Sequence, residues 1–344
     1  MKPVRIGLIG CGWFAQAVHL PILARLPQAE VVAVAESDPE RLRAAGRLAP
    51  AAVRYDNYQD LLRKAGADAA IICLPTSLHA EASIGAMRQG MHVYLEKPIA
   101  TNLDQARAIL NVWKQARVVG MIGFSHRRNA LHRSAKASIQ AGSLGRLVGV
   151  RSVFSASSRP LPDWKSALRT GGGALLELGS HHFDLVHFYF GQPVRTVYAD
   201  LRSVRTEGDT AMVYLQLANG LQVQSCFSLC AIDEDRFEIF GEAARLSLNR
   251  YRSLRVRITQ EGKKAAQLDQ FIHAVRSLSC IPYLYKKLFA PWHEPSYQEA
   301  LEVFLDAVRG KAASTPDLED GYRSLEIVCA AERAAREGQP VTVH

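Results

Sequence analysis

The chain has 344 residues, 48% of them apolar and 22% charged, with a formal net charge of +9. This length and balance suit a globular chain with room for two domains, and exclude a disordered, collagen-like or disulfide-framed one. The charge raises the question of nucleic acid, but the basic residues are dispersed and no nucleic-acid motif occurs, so no such partner is expected. Of the two denser groups, Arg245, Arg250, Arg252, Arg255 and Arg257 read as a solvated face. Arg127, Arg128, His132, Arg133 and Lys136, on a predicted helix, suit an anionic cofactor or substrate. No apolar run approaches membrane-spanning length, so no membrane partner is expected. The N-terminus runs straight into a strand pattern, and a cytoplasmic location is the expectation. Cys11, Cys73, Cys226, Cys230, Cys280 and Cys329 form no C-x-x-C pair and read as packing residues, so no metal is expected.

The first stretch organises the rest. Val4, Ile6, Leu8 and Ile9 predict a short buried strand, and Gly10, Gly12 and Ala15 follow it in the spacing G-x-G-x-x-A. Gly10 permits the tight turn, Gly12 admits a pyrophosphate to the backbone, and Ala15 lets the next helix pack on the strand. Trp13 and Phe14 fall at the start of that helix, where backbone N–H groups face phosphate. A second apolar strand over 31–35 ends at Glu36 and Ser37, where a carboxylate accepts bonds from an adenosine ribose. Glu36 would repel a 2′-phosphate, so NAD is preferred over NADP, with Arg41 the residue that could swing in for the latter.

Further on, Asp38-Pro39 opens a helix to about residue 48. Strands are predicted near 53–55, 69–74, 91–95 and 117–124, with helices over 58–64, 78–89 and 102–115. This alternation predicts a doubly wound parallel sheet over 1–123. After residue 124 the pattern changes. Helices over 129–141 and 174–189 bracket a strand over 148–156 and a loop over 161–173. Strands then follow over 194–201, 210–217, 221–229, 236–240, 245–248 and 254–258, with Asn219-Gly220 as a hairpin turn. The expectation for 124–344 is a substrate-binding and oligomerisation domain: an α/β unit with a large, mostly antiparallel open sheet. The sheet has helices on one face, and the other face is covered by self-association. Residues 259–296 read as irregular, and helices close the chain over 297–310 and 318–337.

Ligands in open α/β sheets bind at the carboxyl ends of the strands. Three segments fall there: Leu74, Pro75, Thr76 and His79; Glu96, Lys97 and Pro98; and 123–129. Lys97 is the candidate ammonium, placed to touch both nicotinamide ribose and substrate. In G-G-G-A-L-L-E-L-G-S-H-H-F-D, helical spacing puts Glu177, His181 and Asp184 on one face. A carboxylate one turn from an imidazole orients the ring and raises its basicity, so His181 can take a hydroxyl proton while hydride leaves the same carbon. Zinc is the competing use of such a stripe, but no further cluster completes a site. Trp164 and the segment 283–293 are candidates to line the substrate pocket.

G-L-I-G-C-G-W-F-A, P-T-S-L-H, E-K-P, G-F-S-H-R and G-G-G-A-L-L-E-L-G-S-H-H-F-D together resemble the glucose–fructose oxidoreductase and inositol dehydrogenase family, Gfo/Idh/MocA. The resemblance runs nearly end to end. It implies a Rossmann domain followed by an α/β domain, assembled as a homodimer or homotetramer through the large sheet. It also implies NAD(P)-dependent hydride transfer at a hydroxyl or keto carbon of a sugar, cyclitol or sugar derivative. By the same resemblance Lys97 acts with His181 and Glu177, and Arg127 lies near the substrate. Two departures stand out. Glu177 replaces the family's usual Asp, and Arg128-Asn129-Ala130 follows where the family commonly has an aromatic residue and Asn-Pro. Arg128 would suit an acidic substrate. The family also admits redox-neutral sugar hydrolases and eliminases that use NAD, and a non-catalytic dinucleotide-binding regulator is the remaining alternative.

Overall fold

The structure is a computed structural model that describes residues 2–157, 162–260 and 281–343. The beginning of the expected 161–173 loop, most of the stretch read as irregular, and Cys280 lie outside the described residues. The chain divides into two compact units, Met1–Ser125 with Ala290–Leu325, and His126–Phe289 with Glu326–His344.

The first unit is built on six parallel strands: β1 (Val4–Ile9), β2 (Ala29–Ala35), β3 (Val53–Tyr55), β4 (Ala69–Ile72), β5 (His92–Leu95) and β6 (Gly120–Ile122). Their order is β3-β2-β1-β4-β5-β6, the doubly wound arrangement with its reversal between β1 and β4. β4 is buried at every position, as a central strand covered on both faces must be. The connecting helices are α1 (Leu20–Leu23), α2 (Pro39–Leu48), α3 (Tyr58–Lys64), α4 (His79–Arg88) and α5 (Leu103–Ala116). Local chemistry fixes their starts. Asp38 accepts from the N–H groups of Glu40 and Arg41, Asn57 from Asp60, and Asn102 from Gln105. The helix expected to follow the glycine turn starts at Trp13 and passes through a π-turn, Ala15–His19, before α1.

The second unit opens with α6 (Ala130–Gln140), β7 (Leu147–Ser155) and α7 (Ser180–Phe190). Its eight-stranded sheet continues with β8 (Val194–Arg202), β9 (Thr210–Leu217), β10 (Gln222–Ser228), β11 (Glu234–Gly241), β12 (Ala244–Asn249), β13 (Arg257–Gln260) and β14 (Val341–Thr342). The order is β13-β12-β11-β7-β10-β9-β8-β14, antiparallel except where β10 runs parallel to β7. The last strand expected over 254–258 lies later, at β13, and β14 was not anticipated because two residues carry no readable pattern. In β9, Ala211, Val213, Leu215 and Leu217 are buried, while Met212, Tyr214 and Gln216 face out. On the buried side of the sheet, Phe183 of α7 stands edge-on to Phe227 of β10 at 5.5 Å. Helix α8 (Ile281–Phe289) falls in the stretch read as irregular. Helix α9 (Ser296–Val308) packs in the first unit, where Ala300, Leu301, Phe304 and Leu305 join the core beneath β1. Helix α10 (Leu318–Glu337) supplies residues to both units.

Candidate active site

The candidate residues fall in both units, and each half is built from its own elements. In the first, the chain leaves β1 through Gly10 at φ +85°, where a Cβ would stand 2.6 Å from the Cys73 carbonyl oxygen, so no larger residue fits. Above Gly12 a Cβ would meet no atom within 4 Å, which leaves the approach to the turn open. Glu36 ends β2 with its side chain 9% exposed. The Cys11 N–H donates to its Oε2 at 2.9 Å and the Asp38 N–H to its Oε1 at 3.1 Å. The carboxylate therefore sits against the glycine turn, as a ribose acceptor must. Ser37 Oγ lies 3.4 Å from Glu36 Oε1, and Arg41 stands 3.6 Å from the same oxygen. Burial, with Glu36 next to it, pushes the Cys11 thiol up to about 12, so it stays protonated beside that charge. Trp13 is 58% exposed at the turn, while Phe14 packs edge-on against His19 and Tyr297.

The open glycine turn and the anchored acid fit a dinucleotide. Gly10, Gly12, Trp13, Phe14 and Ala15 would hold its pyrophosphate end, and Glu36 with Ser37 its ribose.

At the ends of β4 and β5 the remaining candidates are tied together. Thr76–Leu78 form a single 3₁₀ turn after Leu74 and Pro75, and Thr76 is buried. His79, fully buried, has Nδ1 2.7 Å from the Pro98 carbonyl oxygen and Nε2 2.9 Å from that of Leu74. It thus fastens the loop after β4 to the loop that carries Lys97. Burial holds its imidazole below the ordinary histidine range, although both carbonyls favour a proton. Glu96 takes a partner that sequence reasoning missed: His19 Nε2 lies 2.9 Å from Glu96 Oε1. Its other oxygen accepts from the Lys97 N–H at 3.3 Å. Gly123 lies close beside it: a Cβ there would fall 2.7 Å from Glu96 Oε2 and would push that carboxylate aside. The Lys97–Pro98 peptide is cis.

In the second unit, the helix expected over 174–189 begins as a π-turn, Leu175–Gly179, and becomes α-helical only at Ser180. Glu177 therefore lies in the π-turn, whose bonds close i→i+5, and His181 in the α-helix that follows it. The structure gives the stripe separate partners. Glu177 Oε2 meets Lys165 Nζ at 2.6 Å. Asp184 receives both Nε and Nη2 of Arg127, at 2.9 and 2.6 Å. The His181 ring stacks on His126, with centroids 4.2 Å apart. Arg127, expected near substrate, is 7% exposed and engaged in this buried fork. Trp164 stands in a 3₁₀ turn next to Lys165, whose ammonium lies 4.9 Å from the indole centroid.

Behind His181 lies a buried polar network that the sequence did not disclose. Asp235 accepts from Arg250 Nε at 2.6 Å and lies 3.2 Å from His182 Nε2, while His132 bonds the Tyr189 hydroxyl. Burial would raise the Asp235 carboxyl, but Arg250, His182 and His126 outweigh it and hold it well below the usual carboxylate range. Burial, with Arg250 nearby, drives His126 well below the ordinary histidine value. His126, kept neutral by its burial, is the ring that stacks against His181. His126 was visible in the sequence, one residue before Arg127. Asp235 and Lys165 had no local signal, because their partners are distant in the chain. Among the described residues, no three His, Cys, Asp or Glu side chains are grouped to hold a metal ion. No described helix is long and apolar enough to cross a membrane.

Residues 4–124 match the NAD-binding Rossmann fold of the oxidoreductase family GFO_IDH_MocA, and residues 136–343 match that family's C-terminal alpha/beta domain. The chain is 26% identical to the myo-inositol 2-dehydrogenase of Thermotoga maritima, over 98% of each chain. It is 27% identical to the dTDP-3,4-didehydro-2,6-dideoxy-alpha-D-glucose 3-reductase of Actinomadura kijaniata, over 98% of this chain and 97% of that one. The WlbA dehydrogenase of Bordetella pertussis, solved with NADH and UDP-GlcNAcA, shares the fold with a TM-score of 0.84 at 24% identity, covering 100% of this chain and 98% of that one. The glycine turn, the acid at the end of β2, and matches to both domains over nearly the whole chain establish it as a member of the Gfo/Idh/MocA family and an NAD(P)-dependent oxidoreductase.

Proposed function

We propose that this enzyme is a dehydrogenase or reductase acting at a CH–OH carbon of a sugar, cyclitol or sugar derivative. The observation that carries this reading is the arrangement at the carboxyl ends of β1, β2, β4 and β5. There the open glycine turn, anchored Glu36 and the Glu96-Lys97-Pro98 segment belong to one parallel sheet. The relatives' inositol and deoxysugar substrates supply the substrate class. The nicotinamide, when bound, supplies or accepts the hydride.

The chain's own residues then handle the proton and the orientation. Lys97 and His181 exchange the hydroxyl proton, and Glu177, itself held by Lys165, positions His181. Arg127 fixes the start of the second unit through Asp184 and contributes to substrate binding from there. Trp164 lines the substrate side. Glu36 favours NAD over NADP. The division of labour runs at 123/124, with cofactor binding before it and substrate binding with oligomerisation after it.

Self-association runs through the outer face of the eight-stranded sheet, giving a homodimer or homotetramer. Tyr198, Met212 and Tyr214 are 40%, 47% and 50% exposed there. Free thiols at Cys11, Cys73, Cys226, Cys230 and Cys329 suit a reducing, cytoplasmic setting.

The test is a screen of inositols, sugars, uronates and nucleotide sugars with each cofactor, followed at the nicotinamide absorbance. Substrate-dependent change with one of these classes supports the reading. Substrate conversion without net cofactor change would replace it with a redox-neutral cycle, and tight NAD binding without any turnover would replace it with a regulator.

A further inference from the structure

A cavity of about 410 Å³ opens where β11, β12 and β13 meet. Arg236, Arg252, Arg255 and Arg257 line it, together with Ser247 and Asn249. None of these residues has a role in the cofactor or substrate assignment above. The register of the sheet explains the gathering. Leu246 and Leu248 of β12 turn into the core, so Ser247 and Asn249 face outward. Arg236 is the cross-strand partner of Asn249, and Arg257 that of Ser247, so both guanidinium-bearing residues share that outward face.

The turn after β12 is pinned in place. Asn249 Oδ1 accepts the N–H groups of Tyr251 and Arg252, each at 3.0 Å, and the Ser253 N–H donates to the Asn249 carbonyl at 2.7 Å. Lys287 of α8 donates to the carbonyls of Arg250 and Tyr251 at 2.9 and 3.1 Å. Arg236 is engaged with Glu238 at 2.7 Å and Glu234 at 3.7 Å. Among the described residues, no carboxylate stands within ion-pair distance of Arg252, Arg255 or Arg257, and none lines the cavity. Arginines on a convex, solvated face fan apart. Here Arg252 and Arg257 are exposed and Arg255 is half-buried, and with Arg236 they line a concavity whose turn is held in place, where one anion can meet several guanidinium groups at once.

We propose that this cavity is a binding site for a phosphate-bearing small anion of diphosphate size. Planar guanidinium groups meet phosphate oxygens in paired hydrogen bonds, and the cavity falls in the size range of small-ligand sites. Ser247 and Ser253 add hydroxyl donors at its wall.

The test is calorimetric titration of the full-length protein, saturated with NAD so that the glycine turn and Glu36 are occupied, with inorganic pyrophosphate and, separately, with ADP, at about 0.15 M salt to screen diffuse surface binding. Saturable pyrophosphate binding to the unaltered protein is expected, weakened at least about tenfold by the paired substitution Arg252→Ala and Arg255→Ala. Arg257→Gln, on the neighbouring strand, should weaken it in the same sense. Nicotinamide-linked turnover should be unchanged in all three proteins. Parallel loss of pyrophosphate and ADP binding identifies a diphosphate of either source as the ligand, and loss of pyrophosphate alone identifies the free anion. Absence of saturable binding in the unaltered protein, including through coverage by a second copy of the chain, overturns the site. So does binding that survives the substitutions.

Discussion

Lys165 and Glu177 form an ion pair of 2.6 Å across a loop and a π-turn, with side chains 23% and 12% exposed. Glu177 reaches one methylene further than the family's usual Asp, and Lys165 fixes where that reach ends. Replacing Lys165 by Met should lower kcat about tenfold or more, because the Glu177 carboxylate proposed to position His181 would lose the partner that holds it. Stability should change little: a partly exposed pair contributes at most about 1 kcal/mol, or a Tm shift within about 4 °C. Steady-state kinetics across pH, alongside thermal melts, separate the two effects. Unchanged kcat and an unchanged pH profile would show that the pair plays no part in turnover.

The Arg127–Asp184 fork should behave in the opposite way. Both groups are nearly fully buried, at 8% and 1% side-chain exposure. Asp184→Ala removes the bidentate partner of a buried guanidinium and should destabilise the protein by about 3–5 kcal/mol. Asp184→Asn keeps the shape and one acceptor oxygen, and should cost less. Urea unfolding measures both. A loss below about 1 kcal/mol for the alanine variant would mean that other contacts hold Arg127 without Asp184.

These two pairs mark how far the sequence was legible. The parallel sheet could be read because strand, glycine turn, helix and acid recur at short range, and apolar runs such as 69–72 have one stable use. The second sheet could be read from alternation, as in β9, where every other residue is buried. The stripe at Glu177, His181 and Asp184 was visible, but its partners were not. Lys165 lies 12 residues away from Glu177, Arg127 lies 57 away from Asp184, and the π-turn that carries Glu177 has no sequence signature. Asp235 looked like any strand residue, since only the fold brings His182 and Arg250 against it.

Glu36 should govern the choice of cofactor. It holds the Cys11 N–H and faces Arg41 at 3.6 Å. Glu36→Ser removes the charge that would repel a 2′-phosphate and releases Arg41 toward it. The ratio of kcat/KM for NADP to that for NAD should rise at least about tenfold, equivalent to about 1.4 kcal/mol. An unchanged ratio would place the discriminating charge elsewhere.

Lys97→Ala should reduce kcat by about 10²–10⁴-fold, the range for loss of a positioned proton-transfer group. The dissociation constant for NAD should stay within about threefold, because the glycine turn and Glu36 are untouched. Stopped-flow turnover and fluorescence titration of NAD supply the two readings. Full turnover in this variant would remove Lys97 from the proposed proton transfer.

Acid should destabilise the protein before its carboxylates titrate. His79, His126 and His182 are fully buried, and burial lowers all three below the ordinary value of 6.5. The unfolded chain takes up protons at these histidines first. Their contribution is present above the unfolded value and is lost as pH falls through it toward the folded values. Each group adds a slope of up to about 1.4 kcal/mol per pH unit in that window. Asp235, held well below its usual range, adds to the loss only at still lower pH. Urea unfolding at about pH 7.5 and again at about pH 5.5 should therefore show a fall in midpoint without a change in slope. Replacing His182 by Phe should flatten the pH dependence, even though it lowers stability at neutral pH by removing the bond to Asp235. Equal midpoints at the two pH values would mean that these imidazoles already bind protons in the folded protein near neutrality.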